Sequence, residues 1–421
     1  MAWCFTFLVF SFQNPIPWEL TEEKSLSEAI TSDEYFTDAF LNKSDGLFDI
    51  DGYQPWIVMS FVVVSLMNFF ITCKGIDTSK YSVYLTVLLP YFLIAIFFIK
   101  GMTLEGNTIG WSFLFKPDWS KLFTRQIWTD AIGQTIFSAG LGHNAILKLS
   151  THRKEDDKIL SSSIFVPIIN FITSIVSAFA LFSFVGYASK KTGISIDEMP
   201  VEGMELVFVV YPAIVSSLPY SRIWSILFFT MMVSLGLCTQ YALLECISKL
   251  IYGTCKYRRG FNYHPTTVTA ILCFIIFLID IALFASSAGY YWVEIVDHNS
   301  TAVNLPIFLF FQIIFYAYLL PLENLAVKVE AHGEKFPRIY SIFLKVVCPI
   351  FSLFLIVMIV YNEIAKLGEV PKPLSEKLLG YAILATPCSL FFIIALWNPV
   401  RSIENDQTEL ENQEELLNQS S

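Results

Sequence analysis

Charged residues are scarce in this chain of 421 residues, at 15% of the sequence, whereas 55% of the residues are hydrophobic. The mean hydropathy is +0.57, and apolar runs of about 18 residues or more recur along the whole length. Neither a soluble enzyme nor a disordered chain has this composition, so the sequence predicts a membrane protein. The formal net charge is -10 and there is no basic stripe, which excludes nucleic acid as a partner.

Catalytic and metal-binding motifs are also missing. The sequence contains no His-Glu-x-x-His, no phosphate-binding loop, no nucleophile elbow and no closely spaced cysteine pairs of the zinc type. Its eight cysteines lie within or beside apolar stretches, and none lies in the long polar segment after Pro15. We therefore expect free thiols and no enzyme activity.

Nine apolar segments are each long enough to cross about 30 Å of hydrocarbon as a helix. Their predicted bounds are 56–72, 81–99, 127–149, 159–187, 223–251, 266–290, 305–322, 339–361 and 378–397. The predicted fold class is an all-α, polytopic membrane protein in a lipid bilayer. Its predicted parts are half a membrane helix (1–13), an extracellular loop (14–55), a nine-helix bundle (56–398) and an acidic cytoplasmic tail (399–421).

Basic residues and glycosylation sequons predict the orientation. Lysine and arginine cluster in the loops 152–158, 249–259 and 328–338, which alternate spans place on one side, taken as cytoplasmic. Two sequons, at Asn42 and Asn299, are separated by six predicted spans and so fall together on the extracellular side. Both asparagines are predicted glycosylation sites.

The segment 127–149 carries polar residues on one helical stripe. Asp130, Gln134 and Ser138 fall at i, i+4 and i+8, and the stripe runs into Gly-Leu-Gly-His-Asn at 140–144. Two glycines and an asparagine at this depth predict a broken helix, which is tolerated in a membrane where it lines a cavity. The alternative is that the small residues allow tight helix packing.

The next segment repeats the pattern without charge. Asn170, Ser174 and Ser177 fall at i, i+4 and i+7 in an otherwise apolar helix. Amide and hydroxyl donors suit a partly dehydrated chloride ion, and their oxygens suit sodium, whereas a carboxylate in the stripe would exclude the anion. The alternative is an interhelical hydrogen bond that holds the bundle together.

These residues carry a resemblance to a known family. The sequence Trp-Thr-Asp-Ala-Ile-Gly-Gln-Thr-Ile-Phe-Ser-Ala-Gly-Leu-Gly at 128–142 resembles the sixth-helix signature of the sodium- and chloride-dependent neurotransmitter transporters, or neurotransmitter:sodium symporters. Further segments match in the family's order, among them Leu-Pro-Tyr at 89–91, Gly-Tyr at 186–187, Leu-Gly-Leu at 235–237 and Ala-Gly-Tyr-Tyr-Trp at 288–292. This collinear set is more specific than any one motif.

The resemblance implies a partial leucine-transporter-type fold, with family helices four to twelve and half of helix three. The chain is therefore expected to be N-terminally truncated and to begin within the third helix. The implied function is sodium- and chloride-coupled symport of a small amine or amino acid across the plasma membrane by alternating access. As this truncated chain alone, the protein is expected not to transport. The alternative is a non-transporting membrane protein that associates with or regulates a full-length relative, as an oligomer.

The resemblance also assigns ion ligands by position. Gln134, Ser138, Asn170 and Ser174 match the chloride ligands, and Ser138 with Asn170 matches part of the first sodium site. Leu235 and Thr239 match the second sodium site. Cys238 stands where the family usually has aspartate, and a thiol is a poor ligand for a hard cation, so this second site is in doubt.

The substrate-binding residues implied by the resemblance are Phe137, Gly140, His143, Thr239 and Gln240. Phe137 matches the aromatic residue that closes over substrate. His143 adds a group that titrates near neutral pH, and a structural hydrogen bond is the alternative to ligand contact.

Two departures from the family pattern remain. Asp280 lies inside an apolar helix, where an unpaired charge would cost several kcal/mol, so we expect it to be protonated, hydrated or paired. A structural partner and a proton relay are the two interpretations. The extracellular loop lacks the family's cysteine pair, so a stabilising clamp on that loop is expected to be missing.

Overall fold

The computed structural model describes residues 1–20, 25–31, 34–73, 80–143, 146, 150, 158–200, 203–259, 264–319, 322–331, 334–369, 379–383, 385, 386 and 389. Within these residues the regular structure is helical, and the only β pairing is an isolated bridge between Tyr53 and Ser286. The predicted all-α fold is confirmed.

The helices follow one another along the chain with short connections. The first part contains α1 (Ala2–Phe10), α2 (Leu26–Thr31), a π-helical segment (Tyr35–Leu41), α3 (Pro55–Cys73), α4 (Lys80–Met102), α5 (Asn107–Phe115), a 3-10 turn (Lys121–Phe123) and α6 (Arg125–Ser138). The middle contains α7 (Ile159–Thr192), a 3-10 turn (Ile196–Glu198), α8 (Gly203–Glu205), a π-helical segment (Leu206–Val210), α9 (Tyr211–Ser216) and α10 (Ser221–Arg259). The last part contains α11 (Pro265–Phe284), α12 (Gly289–Asp297), a π-helical segment (His298–Asn304), α13 (Leu305–Ile314), a π-helical segment (Phe315–Leu319), α14 (Leu322–Ala331), α15 (Arg338–Ile342), a π-helical segment (Phe343–Val347) and α16 (Cys348–Glu369).

Six of the described helices are long and apolar enough to cross a membrane. They are Pro55–Cys73, Ile159–Thr192, Ser221–Gly253, Pro265–Phe284, Gly289–Leu319 and Arg338–Ala365. Thr86–Met102 and Asn107–Phe115 meet the same criteria together but are bent by 109° at the break between them, which is the geometry of a broken span or of a re-entrant loop. The prediction of a multi-pass membrane protein is confirmed. The predicted span 378–397 lies largely outside the described residues.

One predicted loop is wrong. The span predicted at 266–290 ends at Phe284, and a second helical run begins at Gly289 and continues to Leu319, through the residues 291–304 predicted as a loop. The charged and polar side chains at 294, 297, 298 and 299 lower the local hydropathy and so conceal the helix. Asp297 and His298 line a cleft, and polar side chains within a membrane helix normally face such a cavity.

Small residues allow α5 and α7 to cross at close range. A Cβ atom added to Gly110 would lie 1.7 Å from the Phe182 carbonyl oxygen, and one added to Gly186 would lie 2.5 Å from the Gly110 nitrogen. The Trp111 indole nitrogen donates to the Ser183 hydroxyl at 2.8 Å beside this crossing. This crossing lies in the second half of α7, which the sequence predicts to be the extracellular half. Close backbone packing therefore fixes that half of the helix.

Aromatic side chains attach the predicted extracellular loop to the bundle. Phe7 on α1 stacks on Trp18 at a centroid distance of 4.9 Å and contacts Phe229 of α10 at 5.0 Å. Phe36 from the loop stacks on Phe208 at 5.0 Å with an interplanar angle of 6°. Each such pair contributes roughly 0.5–1.5 kcal/mol beyond the burial of apolar area. The loop is thus part of the folded core.

Polar contacts hold the second half of that loop. The Ser287 amide donates to the Gly52 carbonyl at 3.0 Å, and the Asp51 amide donates to the Ser287 hydroxyl at 3.0 Å. The Lys43 ammonium lies 4.0 Å from the centroid of the Tyr290 ring. A clamp therefore exists without the cysteine pair. Free thiols, as predicted, are found at Cys4, Cys73, Cys238, Cys246, Cys273 and Cys348.

Candidate functional site: a broken helix and its polar neighbours

The helix α6 breaks where the glycines predicted it. It ends at Ser138, and Gly140 and Gly142 adopt φ values of 65° and 83°. A Cβ atom at Gly142 would lie 2.7 Å from Leu305 Cδ1 and 3.2 Å from the Leu305 carbonyl oxygen. Positive φ and close approach both require glycine here, so the prediction of a broken helix is confirmed. The following Asn144 lies outside the described residues.

The uncharged end of the α6 stripe, Gln134 and Ser138, meets the α7 stripe at this break. Asn170 Nδ2 of α7 donates to the Ser138 hydroxyl oxygen at 2.8 Å. The Ser138 hydroxyl hydrogen and the second amide hydrogen of Asn170 are not used in this bond, so both can donate to an anion. Ser174 lies one turn further along α7, with its hydroxyl donating to the Asn170 backbone carbonyl at 2.9 Å. Gln134 lies one turn before Ser138 on α6.

This hydrogen bond is expected under both interpretations of the stripes, as an ion site and as a contact between helices. One further feature favours the ion site, whereas the exposure of the Ser138 and Ser174 side chains fits either interpretation. The backbone beyond Ser138 is unwound and so exposes peptide groups that a continuous helix would bond internally.

Phe137 and His143 lie together beside the break. Their rings meet edge to face, with centroids 6.0 Å apart and an interplanar angle of 69°. Phe137 and Gln134 also line a cleft of about 380 Å³ between α6, the π-helical segment after α12, and α16. The broken helix thus opens onto a space large enough for a small molecule.

Acidic and amide side chains line the same cleft. Its carboxylates are Asp130, Asp297 and Glu363. Glu363 Oε1 lies 3.1 Å from His298 Nε2, and the Asp130 carboxylate accepts from the Gln126 amide at 2.8 Å. A carboxylate-lined cleft suits a substrate that carries an ammonium group.

Sequence reasoning missed three residues of this cleft: Asp297, His298 and Glu363. The signal was weak, because Glu363 lies two residues beyond the predicted span 339–361, and Asp297 and His298 lie between two predicted spans.

The predicted α10 residues lie apart from this group. The Thr239 hydroxyl donates to the Leu235 carbonyl of its own helix at 3.1 Å, beside the partly buried Cys238. Gln240 Oε1 accepts from Asn68 Nδ2 of α3 at 2.6 Å and lines a separate cavity of about 710 Å³. The structure therefore joins Ser138 to Asn170 and Phe137 to His143. Gln240 lines the larger cavity, which shares Asp297 with the cleft beside Phe137.

Asp280 faces the larger cavity. It lies on its wall with Asn68, Gln240 and Asp297. Among the described residues no side chain forms an ion pair with Asp280, so the structural partner we expected is not found. Its access to the cavity favours hydration of the carboxyl group.

The two predicted glycosylation sites differ in their surroundings. Asn42 is exposed and ends the π-helical segment Tyr35–Leu41 with a φ of 50°. Asn299 lies inside the helical run from Gly289 to Leu319, and its amide donates to the Ile295 carbonyl at 2.8 Å. Glycosylation of both asparagines stays a prediction. Asn299, however, lies in a helix and not in the extracellular loop that the sequence predicted there.

Comparison with known proteins identifies the family. The sequence pattern of the sodium:neurotransmitter symporter family matches residues 1–401. The chain is 31% identical over 302 residues to the sodium- and chloride-dependent glycine transporter 1 of Xenopus laevis, covering 72% of this chain and 47% of that relative. It is 28% identical over 338 residues to the sodium- and chloride-dependent GABA transporter ine of Drosophila melanogaster, covering 79% and 36%. The chain thus spans less than half the length of these relatives.

Members of this family are transporters and not enzymes, and they are multi-pass proteins of the plasma membrane. The broken α6, the spans described above and the match over 401 residues agree. This chain belongs to the sodium:neurotransmitter symporter family.

Proposed function

We propose that the protein takes part in sodium- and chloride-coupled symport of a small amine or amino acid, with chloride held by Gln134, Ser138, Asn170 and Ser174. The observation that supports this most directly is the 2.8 Å hydrogen bond from Asn170 to Ser138 at the point where α6 unwinds. It joins the neutral side chains Gln134 and Ser138 of α6 to those of Asn170 and Ser174 on α7, whose remaining hydrogens can donate to an anion. Ser138 and Asn170 also contribute oxygens to a sodium ion in this proposal.

The substrate class follows from the cleft and from the relatives. Asp130, Asp297 and Glu363 line a space of about 380 Å³ beside Phe137, which suits an ammonium group next to a short apolar or aromatic body. The relatives are named as glycine and GABA transporters and as a neutral and basic amino acid transporter. We place the substrate of this protein among such small amines and amino acids.

The chloride site is tested by binding to the purified chain in lipid nanodiscs. Chloride is titrated against an impermeant organic anion, and the response is read from the intrinsic fluorescence of the chain's nine tryptophans, among them Trp128 of α6. Ser174→Glu places a carboxylate beside Asn170, so we expect it to abolish the chloride response. Ser112→Glu introduces the same charge at an exposed position on α5 and should leave the response unchanged. A chloride response in Ser174→Glu equal to that of the wild type would show that the site is wrongly assigned.

Transport is tested separately in proteoliposomes. The chain alone is expected not to transport, so a sodium gradient should drive no uptake of glycine, GABA or lysine by it. Any uptake that does occur should require external sodium and chloride, and uptake that is unchanged without them would contradict the coupling.

A further inference from the structure

A carboxylate from a distant segment caps the start of α7. The side chain of Glu334, between α14 and α15, accepts from the Leu160 amide at 2.7 Å and the Ser161 amide at 3.0 Å. It also accepts from the Ser161 hydroxyl at 2.8 Å. These contacts join positions more than 170 residues apart. Glu334 lies in the loop 328–338 predicted on the cytoplasmic side, and Leu160 and Ser161 lie at the start of the predicted span 159–187.

The helix has no cap of its own at this end. Lys158 occupies the N-cap position and makes no side-chain capping bond. The first amides of any helix lack partners inside the helix, and the helix dipole favours a negative charge there. Partial loss of water raises the pKa of Glu334, but the Leu160 and Ser161 donors outweigh this effect and lower the pKa overall. The carboxylate is therefore stabilised in its charged form by this contact.

The two ends of α7 are held very differently. Near its end, Phe184, Val185 and Ala188 are completely buried against the bundle. Near its start, Phe165 and Val166 are 63% and 62% exposed. As far as the protein is described, the first two turns of α7 therefore have little contact with its other helices. Glu334 supplies three hydrogen bonds to these turns.

A weak point separates the two ends. Pro167 lies inside α7, where it removes one backbone hydrogen bond and crowds the preceding turn. It stands between the capped residues Leu160 and Ser161 and the proposed ion ligand Asn170.

We propose that Glu334 is a latch: its carboxylate fastens the first turn of α7 to the segment before α15, and its release frees residues 159–166 to move about Pro167. The contact is exposed to water, which can replace each bond, so it is suited to opening and closing. The role of this motion in transport rests on the proposed function, whereas the latch does not.

Hydrogen exchange at single amides of the full chain in nanodiscs tests the latch. In Glu334→Ala the Leu160 and Ser161 amides should exchange about tenfold faster, because each loses its acceptor. Residues 176–192 should exchange as in the wild type. Glu330→Ala, at an exposed position on α14, is the matched control and should change neither region.

Two results would overturn the proposal. Equal exchange of Leu160 and Ser161 in Glu334→Ala and the wild type would mean that the cap does not hold this end. Faster exchange along the whole of α7 would mean that Glu334 supports the fold in general. The hinge is tested with the double variant Glu334→Ala and Pro167→Ala. Its amides 159–166 should exchange more slowly than those of Glu334→Ala alone, and equal exchange in the two variants would refute the hinge.

The outcome is independent of the proposed ion site. The exchange is measured without sodium or chloride, so a protein that fails to bind chloride would still show the effect of Glu334→Ala. A protein that binds no chloride but exchanges as the latch predicts would contradict only the proposed ion site. A protein that binds chloride but shows no effect of Glu334→Ala would contradict only the latch.

Discussion

At the scale of single residues, the hydrogen bond between Ser138 and Asn170 is the central contact. Each residue has polar hydrogens beyond those that the contact uses, because a primary amide carries two and a hydroxyl carries one. A net contribution of about 0.5–1.5 kcal/mol is typical of one such bond. The contact therefore adds little to the free energy of unfolding. Its larger effect is to hold the unused donor hydrogens of Ser138 and Asn170 side by side.

Asn170→Leu separates these two effects. The substitution keeps the side-chain shape but removes the donor to Ser138. We expect chloride affinity to fall at least tenfold, while the unfolding midpoint changes little because the contact is exposed. Chloride titration and thermal unfolding of the purified chain measure the two quantities. Thr173→Val, which alters a hydroxyl bonded to its own helix, is the control and should retain chloride binding.

Gly142→Ala is expected to destabilise the protein. The residue adopts a φ of 83°, and its new Cβ would lie 2.7 Å from Leu305 Cδ1. The left-handed conformation alone costs about 1–2 kcal/mol for a residue with a side chain. Gly133→Ala is the matched control, because nothing lies within 4 Å of its added Cβ and alanine favours the helix. An unfolding midpoint of Gly142→Ala at or above that of Gly133→Ala would contradict this account.

Sequence reasoning reached some of these residues and missed others for a physical reason. Ser138 and Asn170 could be predicted because each lies in a polar stripe with helical spacing. Gln240 was expected at the substrate, yet it bonds Asn68 on another helix. Local spacing says which residues share a face, but not which distant helix that face meets.

At the scale of elements, apolar length located most of the membrane helices because hydrocarbon thickness sets a minimum span. The same measure failed at residues 291–304, where the side chains of Asp297 and His298 line a cleft within a continuous helical run. It also could not predict the 109° bend between α4 and α5, because hydropathy carries no information on direction. Breaks at glycine were predictable only at 140–142.

The crossing of α5 and α7 yields an element-scale prediction. Gly110→Ala would place a Cβ atom 1.7 Å from the Phe182 carbonyl oxygen, so the two helices must separate. We expect a large loss of folded protein, measured by monodispersity and thermal unfolding in detergent. Gly253→Ala, a helical position with no atom within 4 Å of the added Cβ, should fold normally. Equal stability of the two variants would refute the close crossing.

At the scale of the whole molecule, the predicted extracellular loop and the turn between α11 and α12 form one unit. Buried Ser287, 2% exposed, donates its amide to Gly52 and accepts the Asp51 amide through its hydroxyl. The rings of Phe7, Trp18 and Phe36 attach the earlier part of the loop. The cysteine pattern alone predicted no clamp at this position, because serine and aromatic contacts leave no comparable signature in the sequence.

Ser287→Ala tests this unit. The substitution removes the acceptor of the Asp51 amide. Because Asp51 is exposed, water can replace this acceptor, so we expect a loss of about 0.5–1.5 kcal/mol, the net contribution of one hydrogen bond. Limited proteolysis should then cut the segment 42–53 faster, while the spans stay resistant. Ser112→Ala, an exposed hydroxyl on α5, should be cut at the wild-type rate. Unchanged cleavage in Ser287→Ala would show that this contact does not hold the loop.

Attachment by ring stacking and serine bonds has a chemical consequence. Residues 14–55 contain no cysteine, so no thiol exchange within this segment can loosen it. Dithiothreitol or glutathione at any ratio of reduced to oxidised form should leave its structure unchanged. This loop is therefore indifferent to the redox state of its surroundings.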